Sequence, residues 1–165
     1  MTTVVYRDGV LAADSQLNDM NEAASATIIG TCEKVYELNS GALLGTAGDG
    51  DAREVIHILT DIGTRAQIDY LTKELLTGTE TGFRGILVLP EDGSVWFIDI
   101  EYEKEEQRWT AGVMECLDDF CSVGSGSQAA MGAMHAGANA IDAVFAAIEV
   151  DPLSGGEVQY MEFTD

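Results

Sequence analysis

Apolar and polar positions along the chain change period several times, and the changes divide it into strands and helices. Thr2–Tyr6 is β-branched and aromatic, Gly9 supplies a turn, and Val10–Ala13 resumes as a second short strand. After a polar stretch around Asn18–Glu22, Lys34–Leu38 alternates and Ala42–Thr46 is apolar, with Asn39-Ser40-Gly41 between them. That spacing predicts a hairpin. From Asp51 to about Leu76 the apolar residues Val55, Ile58, Leu59, Ile62, Ala66, Leu71 and Leu75 recur at three and four, which predicts one long helix or two abutting ones. Arg84–Pro90 and Ser94–Ile100 flank Glu91-Asp92-Gly93 as a further hairpin, and Arg108–Gly112 is compatible with one more strand. Ser125–Glu149 is alanine-rich and carries Met131, Met134, Ile141, Val144, Phe145 and Ile148 at helical spacing. It predicts two helices broken near Gly137, the second ended by Asp151-Pro152. Glu157–Phe163 alternates again as a closing strand. Hairpin-joined strands with helices in blocks predict antiparallel sheets covered by helices, not a doubly wound parallel sheet.

A chain of 165 residues without a Pro/Ser-rich linker or internal repeat sets one domain, 1–165, as the expectation. Ordinary hydrophobic content (46%) excludes a disordered chain. Charge changes the picture more: 29 Asp and Glu against 8 Lys and Arg give a net charge of -21. Such a surface repels phosphate backbones and anionic headgroups, so neither nucleic acid nor a membrane is an expected partner. The excess acid has two candidate explanations, a high-salt milieu or an acidic inner chamber with a basic partner; the Glu101–Glu106 run reads as a solvated hairpin tip. Cys32, Cys116 and Cys121 are too few for a disulfide framework and favour a reducing compartment. Cys116 and Cys121 lack zinc-site spacing, and His57 and His135 read as packed or surface residues, so no metal site is expected. No run reaches the roughly 20 apolar residues of a membrane span, and MTTVVYRDGV lacks signal-peptide features. The expectation is a soluble, cytoplasmic protein.

Candidate chemistry begins at the N-terminus. Met1 precedes Thr2, and trimming Met1 would leave a threonine with a hydroxyl nucleophile beside a free α-amine. Such an amine titrates at about 7.7–8.0, so near neutrality it can act as a base. Asp14 ends the second strand, and Lys34, one of few lysines, opens another. Gly45-Thr46-Ala47-Gly48, between a strand and a helix, is a place where backbone N–H groups can stabilise an oxyanion; it lacks the lysine of a phosphate loop. Gly124-Ser125-Gly126-Ser127 likewise opens a helix. Taken singly, each has a purely structural reading: a first strand, a turn residue, a solvated cation, a tight turn.

Together and in order, Thr2-Thr3, Gly9–Ser15, Lys34–Leu38, Gly45–Gly48, Ser122–Ser127 and Asp151–Gly156 resemble the motifs of proteasome β-subunits and of the shorter bacterial HslV peptidase, both N-terminal-nucleophile hydrolases. The resemblance covers nearly the whole chain; the closing Asp151–Gly156 is more similar to proteasome β-subunits, the length to HslV. It implies an α+β fold, a four-layer αββα sandwich with two antiparallel sheets between helical layers. It implies Thr2 as nucleophile, with its own α-amine as proton acceptor, usually through a water. Lys34 would depress the amine's pKa and steer the hydroxyl, and Asp14 would pair with that lysine. Ser125, Asp151 and Ser154 would orient the amine, and the Gly48 N–H would bind the oxyanion. Tyr36 and Ala47 would line the pocket for the residue before the scissile bond. The implied activity is threonine peptidase action on unfolded polypeptide through an ester intermediate. The implied setting is a ring-shaped homo-oligomer fed by an ATP-driven unfoldase, with no cofactor in this chain. The segment between Asp14 and Lys34 is longer than the family pattern. Two alternatives stand beside this reading, an amidase for a small amide and a non-catalytic ring subunit that keeps Met1.

Overall fold

Residues 2–20, 26–48, 53–74 and 82–164 are described by the computed structural model. Met1, Glu22, Asp51, Leu75 and Leu76 of the expected elements lie outside them. Gly9, Gly41 and Gly93 take φ of 79°, 84° and 68°, and each reverses the chain between neighbouring antiparallel strands. In the first sheet, β1 (Thr3–Arg7) lies between β10 (Phe120–Gly124) and β2 (Val10–Ala13), and β11 (Gln159–Glu162) follows β2. A five-stranded sheet runs in chain order through β5 (Val35–Glu37), β6 (Leu43–Gly48), β7 (Phe83–Val88), β8 (Val95–Glu103) and β9 (Arg108–Cys116). The strands β3 (Gln16–Met20) and β4 (Ala26–Thr31) pair only with each other. The helices are α1 (Arg53–Leu59), α2 (Arg65–Glu74), α3 (Ser127–His135) and α4 (Ala140–Val150).

Period-two alternation separates three apolar cores. Val4, Leu11, Ala13, Leu43, Ile86 and Val88 point between the two sheets. Val5 and Ala12 point the other way, onto Ala130, Met134, Ala143, Val144 and Ala147 of α3 and α4. On the far side, Leu44, Leu87, Ile98 and Ile100 meet Val55, Leu59, Ile68 and Leu71 of α1 and α2. The result is the four-layer αββα sandwich, in which each fully buried Leu, Ile or Val contributes about 1.5–3 kcal/mol. Local chemistry fixes the helix ends. The Asn139 side chain accepts from the Asp142 N–H at 2.8 Å to start α4, and Arg7 donates to the carbonyls of Met134 and Ala138 at the end of α3.

The 51–76 pattern resolves into two helices, parted by a turn at 60–64 that contains Gly63. β9 extends beyond Gly112 to Cys116, because it pairs along the whole of β8. Gly45–Gly48 is not a loop between strand and helix: it forms the end of β6, paired with β7 through Gly48↔Phe83. Close sheet stacking explains Gly45, where an added Cβ would lie 2.4 Å from Val4 Cγ1. The strands β3, β4 and β10 have no counterpart in the apolar pattern. β3 is polar, and β4 leaves Ile28 and Ile29 65% and 60% exposed, so neither shows a half-buried alternation. No helix among the described residues is long and apolar enough to cross a membrane.

Candidate active site

β1 carries the first residues into the sandwich, and the polar groups around them are buried where the flanking core is apolar. Thr2 is 4% exposed, Thr3 and Asp14 are fully buried, and Lys34 is 4% exposed. The Asp14 carboxylate accepts from four donors. Lys34 Nζ lies 3.1 Å from both its oxygens. The Thr3 N–H reaches Oδ1 at 2.9 Å, and the Gln16 and Gly155 N–H groups reach Oδ2 at 3.1 and 3.0 Å. Lys34 Nζ also donates to the Gln16 carbonyl at 2.7 Å. A buried ion pair persists only when its remaining donors and acceptors are satisfied in this way. The Lys34 backbone is held between β6 and β11, its carbonyl accepting from the Thr46 N–H at 2.8 Å and its N–H donating to Gln159 Oε1 at 2.9 Å.

On the other side of β1, a chain of hydroxyls converges on Asp151. Ser125 Oγ and Ser154 Oγ each donate to Asp151 Oδ2 at 2.7 Å, and the Leu153 N–H donates to Oδ1 at 3.1 Å. Ser125 Oγ also lies 3.4 Å from the Thr2 carbonyl, and Thr3 Oγ1 shares a 2.7 Å hydrogen bond with Ser154 Oγ. Burial pushes the Asp151 carboxyl upward, and the hydrogen bonds from Ser125, Ser154 and Leu153 outweigh it, leaving the group below the ordinary carboxylate range. Gly124 makes the approach possible. Its φ is +100°, and a Cβ there would lie 1.8 Å from the Thr2 carbonyl oxygen.

Thr2, Asp14, Lys34, Ser125, Asp151 and Ser154 are therefore brought together around the start of β1. Gly48 ends β6 with φ +146°, and a Cβ there would meet the Gly82 carbonyl oxygen at 2.5 Å. Tyr36 and Ala47 do not share one face. Ala47 belongs to the core between the sheets, while Tyr36 packs on the α1/α2 side, the side Thr46 also faces. Burial, chiefly, raises the Tyr36 phenol above its ordinary value. Sequence reasoning passed over the Gln16 carbonyl and the Gly155 N–H, since backbone groups leave no side-chain signal. Thr3 did leave one, a polar residue on the inward face of an apolar strand. Among the described residues, no cluster of three or more His, Cys, Asp or Glu gathers to hold a metal.

No protein-family model matches the chain, and no curated protein matches it. Solved structures do. The BPH protein of Thiobacillus denitrificans, solved in complex with epoxomicin, superposes with a TM-score of 0.59 at 21% identity over 99% of both chains. HslV from Trypanosoma brucei, described as eukaryotic HslV, superposes with a TM-score of 0.59 at 16% identity over 98% of both. These likenesses show that the chain has the fold of those proteins.

Proposed function

We propose that the chain is an N-terminal threonine peptidase. The observation that carries the reading is the buried Lys34–Asp14 pair bonded to the backbone of Thr3, with the Ser125–Asp151–Ser154 cluster on the other flank. After removal of Met1, the Thr2 α-amine takes the hydroxyl proton, directly or through a water, as Oγ1 attacks the scissile carbonyl. A lysine beside the amine disfavours its protonated form as like charges do, and Asp14 holds the Lys34 head in place. The Gly48 N–H stabilises the oxyanion, a contribution worth about two to three orders of magnitude in rate at other sites of this kind. Collapse forms an ester on Thr2 and breaks the C–N bond, and the ammonium returns its proton to the leaving amine. Water then hydrolyses the ester. Tyr36 and Thr46 offer the wall for the residue before the scissile bond. The epoxomicin complex of the Thiobacillus protein is in keeping with this chemistry on this fold.

The substrate class is unfolded polypeptide, cleaved in a ring-shaped homo-oligomer supplied by an ATP-driven unfoldase. Exposed Ile28, Ile29, Phe145 and Val150 favour burial against further subunits. Intact mass before and after epoxomicin, together with light scattering, tests both parts. A species lacking Met1 that gains one inhibitor mass, while a Thr2→Ala variant gains none, is expected. A species that keeps Met1 and gains nothing refutes the peptidase reading, and a monomer at micromolar concentration refutes the ring.

A further inference from the structure

A recess lies on the Gly124 side of the Thr2 carbonyl. In the five-stranded sheet, the register sets Ala47, Arg84, Asp99 and Gly112 in one row, which shares the inter-sheet face with Ile86 and Phe97. In the first sheet, β1 lies over β6 and β7, and β10 over β7. Between them a cavity of about 480 Å³ opens, with Arg84, Phe97, Asp99, Met114, Val123 and Gly124 in its lining. It opens at the start of the nucleophile's strand, because Gly124 pairs with Thr3 and abuts the Thr2 carbonyl.

Charge and shape select its occupant. Arg84 and Asp99 line the cavity, and Arg84 is bonded to both Asp99 and Glu101, which follows Asp99 two residues along β8, so the three side chains together carry one net negative charge. Asp99 keeps 44% of its side chain exposed, and Met114 is 64% exposed at the rim. An apolar floor under a carboxylate rim fits a side chain with a long methylene stem and a cationic head. Asp14 and Lys34 meet the backbone of Thr3 on the β2 and β5 side, which the peptidase reading gives to the acyl residue; the β10 and β8 side remains for residues after the bond. We propose that this cavity is the subsite for a lysine or arginine side chain on the leaving-group side of the scissile bond. The inference rests on the peptidase reading.

The test compares internally quenched peptides that share one acyl side and carry Lys, Leu or Glu just after the bond, plus an aminocoumarin amide of the same acyl side. The expected kcat/KM ratio of Lys to Glu is about fivefold, carried in KM, as suits a half-exposed charge pair. Asp99→Asn should bring the ratio to about one, and Met114→Glu, which adds a carboxylate at the rim, should raise it by a similar factor. Melting curves check that both variants fold. Equal cleavage of the Lys and Glu peptides by a protein that releases aminocoumarin overturns the subsite alone. So does a Lys preference that neither variant moves, or a preference found only on the acyl side. Failure to release aminocoumarin, with no epoxomicin adduct, overturns the peptidase reading and the subsite with it.

Discussion

Asp14, not Lys34, is the hub of the buried pair, and the two can be told apart by stability. Replacing Lys34 with Met removes one ammonium but leaves Asp14 accepting from the Thr3, Gln16 and Gly155 N–H groups. Breaking a buried pair from one side costs about 3–5 kcal/mol, and three surviving donors should hold the loss near the lower figure. Replacing Asp14 with Ala strands those three N–H groups at about 1–3 kcal/mol each and leaves the buried Lys34 head without its carboxylate. That loss rivals the whole stability of a domain, about 5–15 kcal/mol. Urea titration followed by tryptophan fluorescence reads the difference. With a slope of about 2 kcal/mol/M, the Lys34→Met midpoint should fall by about 1.5 M, while Asp14→Ala should show no cooperative transition. An Asp14→Ala protein as stable as Lys34→Met would refute the assignment of the carboxylate as hub.

Three shorter predictions follow from the same geometry. Gly124→Ala should abolish the epoxomicin adduct and lower stability, because its Cβ would lie 1.8 Å from a backbone oxygen; Gly132→Ala, in α3 with nothing within 4 Å, should stabilise by about 0.5–1 kcal/mol, and equal melting temperatures for the two would contradict the reasoning. The Asp151 carboxyl is held low despite its burial, by Ser125, Ser154 and Leu153, and Asp92 is drawn down to about 2, first by its hydrogen bond from Arg65. A depressed carboxylate gives stability that is complete above the unfolded value of about 3.9 and is lost as pH falls through the folded value. Melting temperature should therefore drop between pH 4 and 2, less steeply in Asp151→Asn and Asp92→Asn; an unaltered slope in both variants argues against these groups. Self-repulsion at a net charge of -21 should be relieved by salt, so melting temperature should rise between 0.1 and 1 M KCl, and a maximum at low salt would count against a surface adapted to high salt.

The sequence made hairpins and helices legible wherever an element buries apolar side chains. β1, β2, β6, β7 and β8 read as apolar, β-branched runs because their two faces meet different cores, and α4 repeats at three and four because one side lies on the sheet. β3 and β4 were illegible for the opposite reason: their pair bears no buried apolar face, and Ile28 and Ile29 point to solvent. β10 is five residues long and runs directly into the turn that opens α3. The site was legible as motifs, since Asp14, Lys34 and Asp151 stand at element ends and Ser154 in the loop after α4, where polar residues draw the eye. What linked them was not, because the links are backbone groups of Thr3, Gln16, Leu153 and Gly155. The facing of Tyr36 and Ala47 depended on register, which sequence spacing did not supply.

Of the two threonines, Thr3 is the anchor, and this bears on why Thr2 can be reactive. Every polar group of Thr3 is engaged: its N–H with Asp14, its carbonyl with the Asp14 N–H at 3.2 Å, its hydroxyl with Ser154. Thr3 and Val5 share the strand face toward α3 and α4, so alternation directs the preceding side chain to the cleft between the sheets. Locking Thr3 thus aims Thr2 without spending the Thr2 hydroxyl. Thr3→Val keeps the shape and removes only the hydroxyl bond, and Ser154 still has Asp151. Stability should then fall by about 1 kcal/mol, as for one hydrogen bond. The rate of epoxomicin labelling should fall about tenfold or more, because a small misplacement of a nucleophile is costly. Labelling at the wild-type rate would mean that the strand pairing of β1 alone sets the position of Thr2, and that the Thr3–Ser154 contact serves packing only.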